Sequence, residues 1–193
     1  PAKLQGLLVK FGNVFVQGYG TSEAFPIVAI LGKAEHMDQS DDGVKRLGSC
    51  GKPVAGYEAA IFDGDGREVP VGEQGEIWVR GGGTIKGYYK NPEATQTEFT
   101  ADGWWKSGDM AYMDSKGYMY IVDRKKNMII SGGFNVYSSE VESALLSHPA
   151  VLNAAVIGIP HQEWGEAVHA EVILKEGVTV SESELMEHVK QLR

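Results

Sequence analysis

The sequence has little cysteine. Cys50 stands alone, so no internal disulfide can form, which suits a reducing compartment and leads us to expect a cytoplasmic protein. No His/Asp constellation accompanies it, so Cys50 reads as a small buried hydrophobe. Long apolar runs are missing too. A membrane helix needs roughly 18–20 apolar residues, and the stretch from Phe25 to Leu31, among the longest here, is broken by Pro26. No secretory pattern opens the chain. Positive charge is scarce: 18 Lys and Arg against 26 Asp and Glu give a net charge of −8. That balance argues against nucleic acid as a partner and leaves at most a local basic patch.

Glycine is plentiful. There are 25 among 193 residues with no Gly-X-Y period, which points to tight turns and close backbone approaches, not collagen. The length allows one or two domains. Pro1 is not a Met and Arg193 falls inside a helical pattern, so both ends read as cut and the chain as a piece of a longer protein.

The pattern changes twice along the chain. Val9 to Gly18 is rich in Val and Phe and predicts a buried strand leading into a loop. A polar connection over 32–53 follows. From Gly56 come short strands with hairpin signals: Tyr57 to Phe62, the turn at 63–66, Glu68 to Val71, and Gly75 to Arg80. A helix is predicted over 91–99, then strands near 109–113 and 117–122. From about 126, Ser139 with Glu142 and Ser181 with Glu184 form two candidate capping boxes. The first opens a helix with Val141, Ala144 and Leu145 on one face, the second a helix carrying Leu185, Val189 and Leu192. Between them, 150–157 and 167–174 read as strands. The division expected is 1–50 as the tail of a large α/β domain, 51–125 as a small β-barrel-like subdomain, and 126–193 as a small α+β lid.

Several chemistries drop out. Gly18 and Gly20 lack the third glycine of a dinucleotide fingerprint, since position 23 is Glu. Gly32-Lys33 and Gly51-Lys52 are not followed by Ser or Thr, so neither is a Walker-type loop. Asp63 and Asp65 lack the rest of a calcium loop. The histidines show no zinc spacing.

Four segments remain. Gln17-Gly-Tyr-Gly-Thr-Ser-Glu23 follows a predicted strand, where an open α/β sheet holds its ligand. There Gln17 and Gly18 lead in, Tyr19 offers a stacking face, Ser22 a hydroxyl and Glu23 a hard oxygen ligand for Mg²⁺. Trp104-Trp-Lys-Ser-Gly-Asp109 puts a carboxylate after a tight Gly turn, able to accept from a ribose diol. Ile121-Val-Asp-Arg-Lys-Lys-Asn127 carries three successive cations at the expected domain boundary, where they would suit a phosphate. Ser131-Gly-Gly-Phe-Asn135 has two glycines past which a thin ligand could run.

Taken in this order, with Gly75-Glu-Ile-Trp-Val-Arg-Gly81 and His148-Pro-Ala-Val151, these segments resemble the adenylate-forming superfamily, and most of all its bacterial fatty-acid–CoA ligases. The resemblance covers almost the whole chain. It implies that a carboxylic acid attacks the α-phosphate of ATP in the presence of Mg²⁺, and that CoA then displaces AMP from the acyl-adenylate. It also implies roles: Tyr19 stacks on adenine, Ser22 contacts the α-phosphate or acyl carboxylate, and Glu23 holds Mg²⁺. Asp109 binds the ribose hydroxyls, Arg124 reaches ribose or phosphate, Lys126 is the hinge of the lid, and Gly132 and Gly133 border the CoA pantetheine. Gln17 and Gly18 belong to the nucleotide-binding loop. The alternatives are an aryl-acid–CoA ligase or a peptide-synthetase adenylation domain and, from another class, a non-catalytic nucleotide-binding scaffold module.

Ser22 and Ser107 stand where the family usually has Thr; both keep a hydroxyl. The family's phosphate loop and adenylation lysine are not in this sequence, so this polypeptide alone is expected to be inactive. It is also expected to self-associate through an unpaired strand before Tyr19.

Overall fold

The computed structural model describes residues 2–191. Pro1, Leu192 (the last apolar residue of the predicted C-terminal stripe) and Arg193 lie outside them. The chain divides into two compact units between Ile121 and Val122.

The first unit opens with helix α1 (Ala2–Phe11), not with the strand expected from Val9. Leu4, Leu7, Leu8 and Phe11 recur at helical spacing, and this period outweighs the β-branched content near its end. Gly12, at φ +74°, stops the helix, its N–H donating to the Leu8 carbonyl. Extended structure survives only as β1 (Gln17–Tyr19), which pairs antiparallel with β2 (Ala29–Leu31). Two short helices, α2 (Lys33–His36) and α3 (Asp41–Arg46), occupy the polar connection. The Ser40 hydroxyl accepts from the Gly43 N–H at the start of α3. Then β3 (Lys52–Pro53) completes a three-stranded sheet in the order β1-β2-β3.

A second sheet follows: β4 (Tyr57–Phe62), β5 (Gln74–Gly81), β6 (Trp105–Met113) and β7 (Met119–Arg124), in that order. Helix α4 (Pro92–Glu98) lies between β5 and β6 in the chain, with Pro92 in its first turn and the Asn91 side chain accepting from the Ala94 N–H. The barrel expected here is not closed. The sheet is open, with β4 and β7 at its ends. The predicted strand Glu68 to Val71 is reduced to a single bridge between Phe62 and Glu68, because Pro70 has no N–H for a ladder. Tyr19 of β1, Ala24 and Val28 of the loop and Ala29 of β2 share one core with Ile61, Ile77, Val79, Trp105 and Met119.

β7 runs into the second unit. A 3₁₀ turn (Lys125–Asn127) leads to β8 (Met128–Ser131), β9 (Phe134–Tyr137), α5 (Ser138–Ser147), β10 (Val151–His161), β11 (Gly165–Leu174) and α6 (Glu182–Gln191). The sheet order is β10-β11-β8-β9. Val141 and Leu145 of α5 and Leu185 of α6 pack against Ile129, Val136, Val151 and Val156, an α+β core.

The two capping boxes fare differently. The Ser181 hydroxyl accepts from the Glu184 N–H. Ser139 does not cap α5. Its N–H donates to Asp123 Oδ2 at 3.0 Å and its hydroxyl to the Val122 carbonyl at 2.6 Å, while Glu142 accepts from the Val156 N–H. The cap is therefore tertiary: Asp123 also accepts from the Ser138 hydroxyl, the Arg124 N–H and Asn127 Nδ2. Partial burial works against the Asp123 anion, but these donors prevail and hold its pKa below the usual carboxylate range.

A carboxyl with a depressed folded pKa stabilises above its unfolded value, about 3.9, and the benefit is lost as pH falls through the lower folded value. Asp123→Asn should therefore cost the second unit about 1 kcal/mol at neutral pH. It should also flatten the acid-side loss below about pH 4. Hydrogen exchange of the α5 amides measures both effects, and an unchanged acid profile would contradict the assignment.

Candidate functional site

Two of the expected site residues, Tyr19 and Asp109, meet where the end of β1 faces an irregularity in β6. In the β5–β6 ladder Glu76 pairs with Met110 and Trp78 with Lys106, so β6 carries two extra residues between these pairs. Ser107, Gly108 and Asp109 form the resulting bulge, a device that re-aims a side chain. Gly108 adopts φ +71°, which favours glycine. Its N–H donates to Glu76 Oε1 at 2.9 Å, and the Asp109 N–H donates to the Ser107 hydroxyl at 3.0 Å. Held in this way, Asp109 accepts the Tyr19 hydroxyl on Oδ2 at 2.6 Å. Both groups are enclosed, Tyr19 at 8% exposure and Asp109 at 4%. Burial first, and then the Asp109 carboxylate, push the Tyr19 phenol well above the usual tyrosine range, so it stays a donor.

The Tyr19 ring, expected to stack on adenine, packs in the core and in this arrangement keeps little face for a base. The loop beyond it is pinned to the segment after β5: the Phe25 N–H donates to the Gly83 carbonyl and the Ile85 N–H to that of Glu23. Gln17 is used internally, its amide donating to the Ser49 carbonyl at 2.8 Å. Gly18 pairs with Ile30 in the β1–β2 ladder, and Ser22 is exposed on the loop. Glu23 is half-buried, with Oε1 3.4 Å from the Tyr88 hydroxyl. Tyr88 donates to Glu98 and accepts from Trp105 Nε1 on β6. Burial, and then the Glu98 carboxylate, push the Tyr88 phenol up to about 12. Tyr19 thus bonds directly to Asp109, while Glu23 approaches Tyr88, whose partner Trp105 packs in the same core cluster as Tyr19.

Sequence reasoning missed Tyr88 and Glu76. Tyr88 carried no signal. Glu76 lay inside Gly75-Glu-Ile-Trp-Val-Arg-Gly81, where the motif could have prompted the question of what a carboxylate does on a buried strand.

In the second unit, Arg124 and Lys126 are exposed at the end of β7 and in the 3₁₀ turn. Gly132 (φ +58°) and Gly133 (φ +84°) form the two-residue turn between β8 and β9, a conformation that favours glycine at both positions. Their backbone requirement is therefore local, whatever ligand passes them.

A surface cleft of about 480 Å³ is lined by Lys45, Arg46, Tyr112, Asp114, Lys116 and Tyr120 among others, none of them an expected site residue. Cys50 is half-buried and burial pushes its thiol up to about 12, which removes it as a nucleophile. Among the described residues no group of three His, Cys, Asp or Glu is arranged to enclose a metal. A Mg²⁺ held by one carboxylate plus substrate phosphates needs no such group, so Glu23 fits only an ion that arrives with its nucleotide.

Residues 1–89 match the AMP-binding enzyme model and residues 140–192 the AMP-binding enzyme C-terminal domain model. The chain belongs to the AMP-binding enzymes. Among its curated relatives in this family is a medium/long-chain-fatty-acid–CoA ligase, FadD8, of Mycobacterium tuberculosis, 44% identical over 91% of this chain and 29% of that protein. Another is a feruloyl-CoA synthase of Amycolatopsis, 43% identical over 96% of this chain and 36% of that protein. The chain thus spans about a third of the length of the curated relatives it matches. Among solved AMP-binding enzymes, o-succinylbenzoate CoA synthetase of Bacillus subtilis, in complex with the acyl-adenylate OSB-AMP, superposes with TM-score 0.83 at 37% identity, over 99% of this chain and 37% of that one. ATP-bound MatB of Rhodopseudomonas palustris superposes with TM-score 0.84 at 34% identity, over 97% and 36%. Both support a mixed α/β fold. Among the described residues no helix is long and apolar enough to cross a membrane.

Removing the Tyr19 hydroxyl strips a charge-assisted donor from a buried carboxylate. Tyr19→Phe should destabilise the first unit by about 1–3 kcal/mol, read by urea denaturation. A change below about 0.5 kcal/mol would mean that the bond contributes nothing net.

Proposed function

We propose that this chain is part of an ATP-dependent acid–CoA ligase acting on a fatty acid. In the first step a carboxylate oxygen attacks the α-phosphorus of ATP, forming the acyl-adenylate as pyrophosphate leaves. In the second, the CoA sulfur attacks the acyl carbon and AMP departs. A free carboxylate is a poor electrophile, so the mixed anhydride makes the second step feasible.

The observation that carries this reading is the buried Tyr19–Asp109 bond at the β6 bulge. It supplies a fixed carboxylate at the end of the loop that resembles the family's nucleotide-binding segment. In our reading Asp109 accepts from the ribose hydroxyls, and Tyr19 contributes by holding Asp109 and not mainly by stacking on adenine. Gln17 and Gly18 shape the loop, and Ser22 meets the α-phosphate or the acyl carboxylate. Glu23 would hold Mg²⁺, which when bound offsets negative charge on the transferring phosphoryl group. Arg124 lies against ribose or phosphate, Lys126 is the pivot of the C-terminal unit, and Gly132 with Gly133 borders the pantetheine of CoA. The exposed apolar side chains of Val9, Phe11, Val14 and Val16 support self-association of the chain on its own.

A second reading, an aryl acid as substrate, is favoured by the 43% identity to a feruloyl-CoA synthase. The test is AMP release by the full-length protein across a panel of fatty and aryl acids, with and without CoA. The proposal predicts release that requires a fatty acid and thioester product that requires CoA. Turnover confined to aryl acids would favour the second reading. Adenylation without transfer to CoA would indicate a peptide-synthetase type, and no acid-dependent AMP at all would leave a nucleotide-binding scaffold.

A further inference from the structure

We propose that Glu76 is a positioning residue for nucleotide recognition: its buried carboxylate sets the conformation of the Ser107–Asp109 bulge and so aims Asp109 at the ribose. This deepens the reading above and rests on it.

The physical problem starts with the bulge. A bulged strand leaves backbone groups outside the ladder, and a buried N–H without a partner is costly. The Gly108 N–H lies outside the ladder on a half-buried residue, and a side chain satisfies it: Glu76 Oε1, at 2.9 Å. Glu76 is only 6% exposed, and a carboxylate so enclosed needs donors of its own. Each group therefore answers the other's requirement.

The surroundings leave Glu76 little freedom. At the preceding Gly75, a Cβ would stand 2.4 Å from the Phe62 carbonyl oxygen, so β4 and β5 approach closely just before the carboxylate. At Gly108 a Cβ would meet open space, so it is the φ of +71° and not crowding that favours glycine there. The turn is thus set by a backbone angle and by two side-chain acceptors, Glu76 for the Gly108 N–H and Ser107 for the Asp109 N–H. Losing the Glu76 acceptor frees the Gly108 amide to rotate, and the Asp109 carboxylate turns with the peptide next to it. Glu76 itself need not touch the nucleotide.

The test uses the full-length enzyme and compares KM for ATP, 2′-deoxy-ATP and 3′-deoxy-ATP in acid-dependent AMP release. A hydrogen bond to a carboxylate distinguishes a hydroxyl from its absence by roughly ten-fold or more, so the wild type should prefer ATP by that factor. Glu76→Gln keeps an oxygen that accepts from the Gly108 N–H and should keep the preference. Glu76→Asp retains the charge but falls short of the amide. It should raise KM for ATP roughly ten-fold, leave the deoxy nucleotides unchanged and alter kcat less, and Glu76→Ala should do the same. Should Glu76→Ala fail to fold, the Gln and Asp variants decide. A merely structural role predicts lower melting temperatures with the preference intact. That result in the Asp variant, or loss of the preference in the Gln variant, would overturn the proposal. A wild-type enzyme indifferent to the ribose hydroxyls would instead refute the role given to Asp109, and that of Glu76 with it.

Discussion

The first unit depends on a hydrogen bond between residues 90 positions apart, from the Tyr19 hydroxyl to the Asp109 carboxylate. A carboxylate at 4% exposure is unfavourable unless donors surround it. The fold supplies one from the end of β1 and shapes the β6 bulge so that the acid faces it. Because the same burial keeps the phenol protonated, Tyr19 remains a donor near neutral pH. Loop, bulge and core are therefore one structure. Tyr19 belongs to the hydrophobic cluster that also contains Ile77 and Trp105, so positioning Asp109 and packing the core are not separable tasks.

The second unit solves a different problem by similar means. Its helix α5 begins without a side-chain cap of its own, and Asp123 on β7 supplies the acceptor. Carboxylates close gaps in backbone hydrogen bonding in both units: Glu76 at the bulge and Asp123 at a helix start. In a chain with a net charge of −8, some of the acids thus serve the architecture itself and not the solvated surface alone.

Much of this was legible in the sequence where local rules decide. The helix expected over 91–99 is found at Pro92–Glu98, and the Ser181 cap follows from its spacing to Glu184. The hairpin glycines 132 and 133 are visible in the sequence as a backbone feature, whereas the turn with both φ positive that explains them locally is not. What failed did so where two signals competed or a distant partner intervened. The segment before Tyr19 contained both a helical leucine period and a run of Val and Phe, and the helix won as far as Phe11. Ser139 and Glu142 had the spacing of a capping box, but Asp123 and Val156 claimed them. The barrel was inferred from hairpin signals, which specify neighbouring strands and not whether the ends of a sheet meet. Asp109 stands out in the sequence by its place after a glycine, yet nothing local foretells that Tyr19 is its donor. Tyr88 carried no local signal, and the bond that Glu76 makes to the bulge exists only in three dimensions.

The most direct measurement is a crystal structure of the full-length protein with AMP bound. The account predicts an Asp109 carboxylate oxygen about 2.5–2.7 Å from a ribose hydroxyl, with the Tyr19 hydroxyl still donating to Oδ2. A nucleotide whose ribose lies away from Asp109, or whose binding separates Tyr19 from Asp109, would contradict it.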